Sequence, residues 1–147
     1  VGLIANKTDS KLLPAPGPAA KLGSAYPTDA VEQFELGLRY FRGVDVAQDY
    51  RKAAKWFCKA GNQGHTKAQF NLGVLYSYGE GVPQDEAQAA IWCRKAAEQG
   101  HGNAQFHLGM HYSTGEGVAQ DYAQAAVWYR KAADQGHAAA QAQLGVL

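Results

Sequence analysis

A segment of 36 residues recurs along this chain, and a fixed period of that length constrains the fold more than any other feature. The clearest copy starts at Ala68 and reads AQFNLGVLYSYGEGVPQDEAQAAIWCRKAAEQGHGN. A close copy starts at Ala104, a looser copy starts at Glu32, and the residues AQAQLGVL begin a fourth copy at Ala140. A unit of this size cannot bury its own apolar face, so neighbouring units must stack. The period therefore predicts a solenoid.

The first half of each copy predicts a helix. Ala68, Leu72 and Tyr76 lie four residues apart, so they share one face at the helical period. Gly73 lies at the edge of that face, where a missing side chain lets a partner helix approach closely. Because Thr66 is followed three residues later by Gln69, we expect a capping box at the start of this helix.

The turn after this helix is predicted from two closely spaced glycines. The segment 79–81 reads Gly-Glu-Gly, and the segment 115–117 repeats it. Glycine readily adopts a positive φ, so both segments are expected to end a helix. The first copy has Asp45 in place of the second glycine, and aspartate is among the few other residues that tolerate a positive φ.

The second half of each copy predicts another helix, so that one copy forms a helical hairpin. Asp85 is a favourable N-cap residue, and Ala89, Trp92 and Ala96 form a buried stripe. The small alanines allow close packing, and the tryptophan fills the space between layers. Gly100 then ends the helix, and we interpret the recurrent histidines that follow such glycines as helix-end or turn residues. Those histidines are His65, His101 and His137.

The spacing A-x3-L-G-x2-Y-x2-G-x-G-V-x2-D-x3-A-x2-W-x2-K-A-A-x2-G resembles the Sel-one-like repeat, a relative of the tetratricopeptide repeat. It is carried here by Ala68, Leu72, Gly73, Tyr76, Gly79, Gly81, Val82, Asp85, Ala89, Trp92, Lys95, Ala96, Ala97 and Gly100. The resemblance covers roughly residues 30–147. It implies an all-α fold, a right-handed superhelix of αα hairpins, and a role as a protein interaction scaffold or adaptor.

Two regions are predicted along the chain. Residues 1–29 include Pro14-Ala15-Pro16-Gly17-Pro18 and are expected to form a Pro/Ala-rich, mostly disordered linker. Residues 30–147 are expected to form the repeat domain, with three hairpins and a truncated fourth. The chain does not begin with methionine, so we interpret it as a processed or partial product. An extracytoplasmic setting, periplasmic or secreted, is favoured because such linkers often follow export signals.

The net charge and the distribution of apolar residues argue against two classes of partner. Fourteen basic and thirteen acidic residues leave a formal net charge of +1. This balance provides no electrostatic basis for binding nucleic acid. No apolar run approaches the length of a transmembrane helix, so we expect no membrane insertion in this stretch. The partner that the family resemblance implies is a protein or peptide.

No set of residues predicts catalysis, a metal site or a cofactor. His107 and His111 lie four residues apart and could share a metal ion, but a structural zinc site requires four ligands. Cys58 and Cys93 occupy different places in their repeats, so two free thiols are expected. We therefore expect a protein that is not an enzyme. The alternatives are a β-lactamase-like hydrolase, as implied by cysteine-rich relatives of this family, and a structural spacer.

A second apolar stripe on the first helices predicts the partner-binding groove. Its residues fall nearly opposite the face that packs on the second helix, and polar residues border it. The predicted groove comprises Phe34, Leu38, Phe70, Val74, Phe106 and Met110, bordered by Lys67 and Asn103. Part of the stripe could instead pack between neighbouring repeats. We expect Phe70 and Phe106 to be partly exposed and to contact a peptide.

Overall fold

The structure is a computed structural model that describes residues 26–147, and these residues form seven helices and no strand. The helices are α1 (Ala30–Arg42), α2 (Tyr50–Asn62), α3 (Thr66–Tyr78), α4 (Glu86–Glu98), α5 (Gly102–Thr114), α6 (Tyr122–Asp134) and α7 (Ala138–Leu144). Helices α1 and α2, α3 and α4, and α5 and α6 pair as hairpins, and each hairpin packs on the next. The predicted all-α solenoid of helical hairpins is confirmed. The linker predicted over residues 1–29 lies almost entirely outside the described residues.

The core of each hairpin is the alanine and tryptophan stripe of the second helix. Ala53, Ala89 and Ala125 are fully buried, and so are Ala60, Ala96 and Ala132, about two helical turns later. Trp56, Trp92 and Trp128 are between 6% and 8% exposed. The stripe predicted from the sequence is therefore the buried face of α2, α4 and α6.

Glycines on the first helices let the two helices of a hairpin approach each other. A Cβ built on Gly37 would lie 2.7 Å from the Phe57 ring, and one built on Gly109 would lie 2.6 Å from the Tyr129 ring. At Gly73 the nearest atom is the Cys93 sulfur, 3.0 Å away. The predicted packing reason for these glycines is confirmed, because real Cβ atoms do not make contacts of 2.6–2.7 Å.

The helix N-termini are capped by two different residue types. Asp85 caps α4 through a hydrogen bond from the backbone N–H of Gln88 to its Oδ1, and Asp121 caps α6 in the same way. The cap of α3 is His65, whose Nδ1 accepts from the Ala68 N–H at 3.2 Å. The capping box predicted at Thr66 is wrong, because the N-cap is the preceding residue, His65.

A ladder of glutamines joins consecutive repeats through the core. Gln69 is 5% exposed, donates to the Gly61 carbonyl at 3.0 Å, and accepts from Gln99 at 2.7 Å. Gln99 also donates to the Gly64 carbonyl at 3.1 Å. Equivalent bonds are made by Gln105 with Ala97 and Gln135, by Gln135 with Gly100, and by Gln33 with Pro27 and Gln63. Gly61 and Ala97 lie in the last turns of second helices, and their carbonyls also accept from the backbone N–H groups of Gly64 and Gly100. The glutamines therefore add a second hydrogen bond at each of these helix ends.

Candidate interaction surface

Three of the eight residues predicted for the groove and its border are buried. Leu38, Phe70 and Val74 are only 4%, 2% and 2% exposed, so the expectation that Phe70 is partly exposed is wrong. Phe70 stacks on His101 with ring centroids 4.7 Å apart and contacts His107 edge-on at 5.4 Å. His101 caps α5 and His107 lies within it, so both contacts are with the first helix of the next hairpin. The alternative considered for the stripe, packing between neighbouring repeats, therefore holds at these three positions.

The other predicted groove residues remain accessible. Lys67 and Asn103 are exposed, and Met110 is 39% exposed. Phe34 and Phe106 are half-buried, each stacked on the histidine that caps the next repeat. We call these five residues the first-helix surface. The expectation of partial exposure is thus met by Phe106.

A cleft opens between α3 and α5, with a volume of about 320 Å³. Its walls come from the last turns of α3, from most of α5, and from the segments that follow these helices. The lining residues are Val74, Ser77, Tyr78, Gln84, Glu86, His107, Met110, His111, Thr114 and Glu116. Two predicted groove residues, Val74 and Met110, lie in this cleft, so it continues the first-helix surface.

Two aromatic residues of the first repeat are replaced by smaller residues at this cleft in the second repeat. In the first repeat the rings of Phe41 and Tyr50 pack together with their centroids 5.1 Å apart. At the equivalent places in the second repeat stand Ser77 and Glu86, whose side chains form a hydrogen bond of 3.1 Å. A serine and a carboxylate fill less space than two rings. The junction between the second and third repeats therefore stays open.

The electrostatics of the cleft are dominated by carboxylates. Glu86 and Glu116 line it, and none of its described lining residues is lysine or arginine. His111, which is 6% exposed, holds its Nδ1 2.8 Å from the Glu116 backbone carbonyl and 3.9 Å from the Glu86 carboxylate. Since a carbonyl only accepts, the Nδ1 carries the proton, and in the neutral ring Nε2 is an acceptor. That Nε2 forms no hydrogen bond with any residue that the structure describes.

Burial keeps the other histidine of the cleft neutral. The pKa of His107 is lowered to about 4, first because burial disfavours the charged ring and then because His111 and other histidines lie near it. His107 packs edge-on against Phe70 and Phe106. His107 therefore packs as a neutral ring between two aromatic side chains.

The histidines and cysteines considered as metal ligands or nucleophiles lie in surroundings that do not favour metal binding or nucleophilic attack. Among the residues described, no group of three or more histidine, cysteine or acidic side chains is placed to hold a metal ion. Cys58 and Cys93 are free thiols. Burial raises the pKa of Cys93 to about 12, so its thiol stays protonated at neutral pH and lacks the thiolate that nucleophilic attack requires. No described helix is long and apolar enough to span a membrane.

Sequence reasoning did not identify Glu86 and Glu116 as site residues, although the repeat carried a signal. Glu86 stands where the other copies have Tyr50 and Tyr122, and His111 stands where the second copy has Leu75. A departure from the repeat at a position that is otherwise aromatic or apolar indicates either a defect in packing or a special surface. Only the structure shows that these departures meet at one opening.

Three segments of the chain match the profile of the Sel1 repeat, namely residues 33–65, 66–101 and 102–137. Among solved structures, a Sel1 repeat protein from Oxalobacter formigenes is similar to this chain, with 38% identity and a TM-score of 0.79. That similarity covers 81% of this chain and 49% of the other. No curated protein matches the chain.

Two further structures share the fold. A protective antigen of uropathogenic Escherichia coli strains, described as displaying an SLR fold, is 42% identical with a TM-score of 0.75. The match covers 93% of this chain and 27% of that protein, so this chain spans half or less of both of these relatives. Helicobacter pylori cysteine rich protein B is 24% identical over the whole of both chains, with a TM-score of 0.67, and shows a likeness of fold alone.

Proposed function

The chain belongs to the Sel1 repeat family, and from that premise we propose that its first-helix surface and the adjoining cleft bind a segment of a protein partner. Sel1 repeat proteins are generally helical scaffolds for protein interactions and are typically not catalytic.

The observation that carries this proposal is the cleft between α3 and α5. Its volume of about 320 Å³ falls within the range of small binding sites. The repeat does not require its polar lining, since the places of Ser77 and Glu86 are taken one repeat earlier by the paired rings of Phe41 and Tyr50. Exposed Met110 and Tyr78 add apolar area at its mouth. A concave opening with apolar walls and a few polar groups suits a side chain of a bound polypeptide.

Site-specific photocrosslinking tests which surface the partner contacts. Benzoylphenylalanine would replace Lys67, Asn103 or Met110 in the full chain, and the protein would be exposed to an extract of the cells that produce it. These positions are exposed, so the substitution leaves the core intact. We expect one partner to be crosslinked from this set, and identified by mass spectrometry.

The matched control uses the second helices. Lys55, Ile91 and Val127 are equivalent positions of the three repeats and are also exposed. They should give no crosslink to that partner. A partner crosslinked from these positions, and not from the first helices, would overturn the proposed surface.

A further inference from the structure

We propose that the cleft between α3 and α5 is a receptor for a basic side chain, an arginine or lysine presented by the partner protein. The proposal rests on the proposed function and names the chemistry of the group that this part of the surface recognises.

The charges of the cleft favour a cation. Glu86 and Glu116 are carboxylates, and the lining supplies no lysine or arginine to compensate them. The Glu86 side chain lines the cleft and is 30% exposed, and its carboxylate accepts a hydrogen bond of 3.1 Å from the Ser77 hydroxyl. It is therefore oriented before any ligand arrives. Two carboxylates at one partly enclosed site attract a positive group more strongly than isolated surface carboxylates do.

A second observation is the orientation of His111. Its side chain is 7% exposed, and it lines the cleft. The Glu116 carbonyl fixes Nδ1 as the protonated nitrogen, which leaves Nε2 as an acceptor without a partner among the described residues. This nitrogen is not closed off from solvent, so a ligand in the cleft can reach it. An N–H group of a guanidinium or ammonium ligand would satisfy it.

The walls suit the aliphatic part of the same side chain. Val74 and Met110 lie on facing helices and provide apolar contacts, and Tyr78 adds an exposed ring. Arginine and lysine combine a charged group with a stem of methylene groups that packs on apolar surface. A small inorganic cation would use the carboxylates and leave these walls without a role. An acidic side chain would be repelled by both carboxylates.

Titration by NMR with small probes tests this inference. The full chain, labelled with ¹⁵N, would be titrated with N-acetylarginine methylamide, N-acetyllysine methylamide and the neutral N-acetylnorleucine methylamide. We expect the two cationic probes to shift the backbone amide signals of Ser77, Met110 and Thr114 saturably. Norleucine, which has the stem without the charge, should not saturate them. Raising the salt concentration should weaken the cationic probes, since screening reduces attraction between exposed charges.

Charge variants distinguish the cleft from general attraction. The double substitution Glu86→Gln and Glu116→Gln keeps side-chain size and should weaken the arginine probe about tenfold. The control Glu98→Gln with Asp134→Asn removes two exposed carboxylates that do not line the cleft, and it should leave binding unchanged. A third variant, Ser77→Phe with Glu86→Tyr, installs the aromatic pair of the first repeat and should abolish binding.

Several outcomes would overturn the inference. Norleucine could saturate the same signals as arginine, both charge variants could weaken binding equally, or neither cationic probe could bind. The proposed function has a separate test. If the partner is crosslinked from the first helices and its binding is unaffected by Glu86→Gln with Glu116→Gln, the interaction surface stands and the basic-group receptor does not.

Discussion

Single glycines set the distance between consecutive repeats. A Cβ on Gly81 would lie 2.2 Å from the carbonyl oxygen of Tyr50 in the preceding repeat, and a Cβ on Gly117 would lie 2.1 Å from that of Glu86. Both glycines also have a positive φ, of 75° and 77°. They therefore satisfy two requirements, a left-handed backbone and the close approach of the preceding second helix.

Replacing one of these glycines separates the two requirements. Gly81→Ala should destabilise the protein more than Gly100→Ala, because Gly100 has a φ of 92° but no atom within 4 Å of its virtual Cβ. The control incurs the cost of a positive φ, about 1 kcal/mol. The Gly81 variant adds overpacking against backbone, about 2 kcal/mol more. Urea unfolding measures both, and equal losses would contradict the backbone contact.

Asp45 occupies the corresponding place in the first repeat with a φ of 60°. It is exposed, so only the backbone conformation opposes a side chain at this position. Asp45→Gly should therefore stabilise the protein by a few tenths of a kcal/mol and by no more than about 1 kcal/mol, since the greater freedom of glycine in the unfolded chain offsets part of the gain. A thermal melt is sufficient as the measurement. A lower melting temperature would indicate that the Asp45 side chain stabilises the turn.

At the scale of the helix, α3, α5 and α7 each begin at a histidine cap, whereas α1 begins at Asp29. The Nδ1 atoms of His65, His101 and His137 each accept from a backbone N–H at 3.2 Å, and a protonated nitrogen cannot accept. The pKa values of His65 and His101 are lowered, mainly by burial and then by the nearby charge of Lys67. At His65 and His101 the start of a helix is therefore coupled to pH.

The direction of the pH dependence follows from these lowered pKa values. The pKa of a histidine in the unfolded chain is about 6.5, whereas the pKa of His107 in the folded protein is about 4. The stabilisation is therefore complete above about pH 6.5 and is lost as the pH falls toward the lowered values. Between pH 7 and 5, His107→Asn should remove about 1–2 kcal/mol of the loss seen in the wild type.

His101→Asn is the companion variant, since asparagine is a good N-cap at any pH. It should also lose less stability than the wild type on acidification, with urea unfolding at both pH values as the measurement. Parallel loss in the wild type and both variants would show that carboxylates, and not these histidines, govern the acid sensitivity.

The elements were predictable where common residue preferences determine them. The second helices begin at the aspartates expected from the sequence, because Asp is among the strongest N-cap residues. Asp29 caps α1, but α3 was assigned the wrong cap, because Thr66 is a common cap residue and His65 is not. The imidazole succeeds here since Phe34 supports its ring by stacking at 4.5 Å. That contact comes from the helix of the preceding hairpin and cannot be inferred from local sequence.

At the scale of the whole molecule, the sequence predicted the stacking of hairpins but not which face each contact buries. Phe70 and Val74 lie opposite the hairpin interface, and their burial depends on how far one repeat is rotated against the next. Periodicity within one helix carries no information on that rotation. The cleft depends on it as well, because Glu86 and His111 belong to different repeats and meet only after stacking.

The glutamine ladder is the polar component of this stacking. Gln69 connects three helices, since it donates to Gly61 at the end of α2 and accepts from Gln99 at the end of α4. In a solenoid, stability depends on such contacts between neighbouring repeats. The loss of Gln69 would remove one of the two hydrogen bonds that the Gly61 carbonyl accepts and one of the two that the Gln99 amide donates.

Gln69→Ala should therefore cost about 2 kcal/mol, because truncation removes two hydrogen bonds between repeats and creates a small cavity at a buried position. The matched control is Gln141→Ala, the equivalent position at α7, where the side chain is exposed and donates to the Ala133 carbonyl at 3.2 Å. Water can replace that bond, so the control should cost no more than about 0.5 kcal/mol. Urea unfolding followed by circular dichroism gives both values. Similar losses at the two positions would mean that the ladder contributes through local helix capping alone, and that the apolar contacts of Trp92 and Phe70 join the repeats without it.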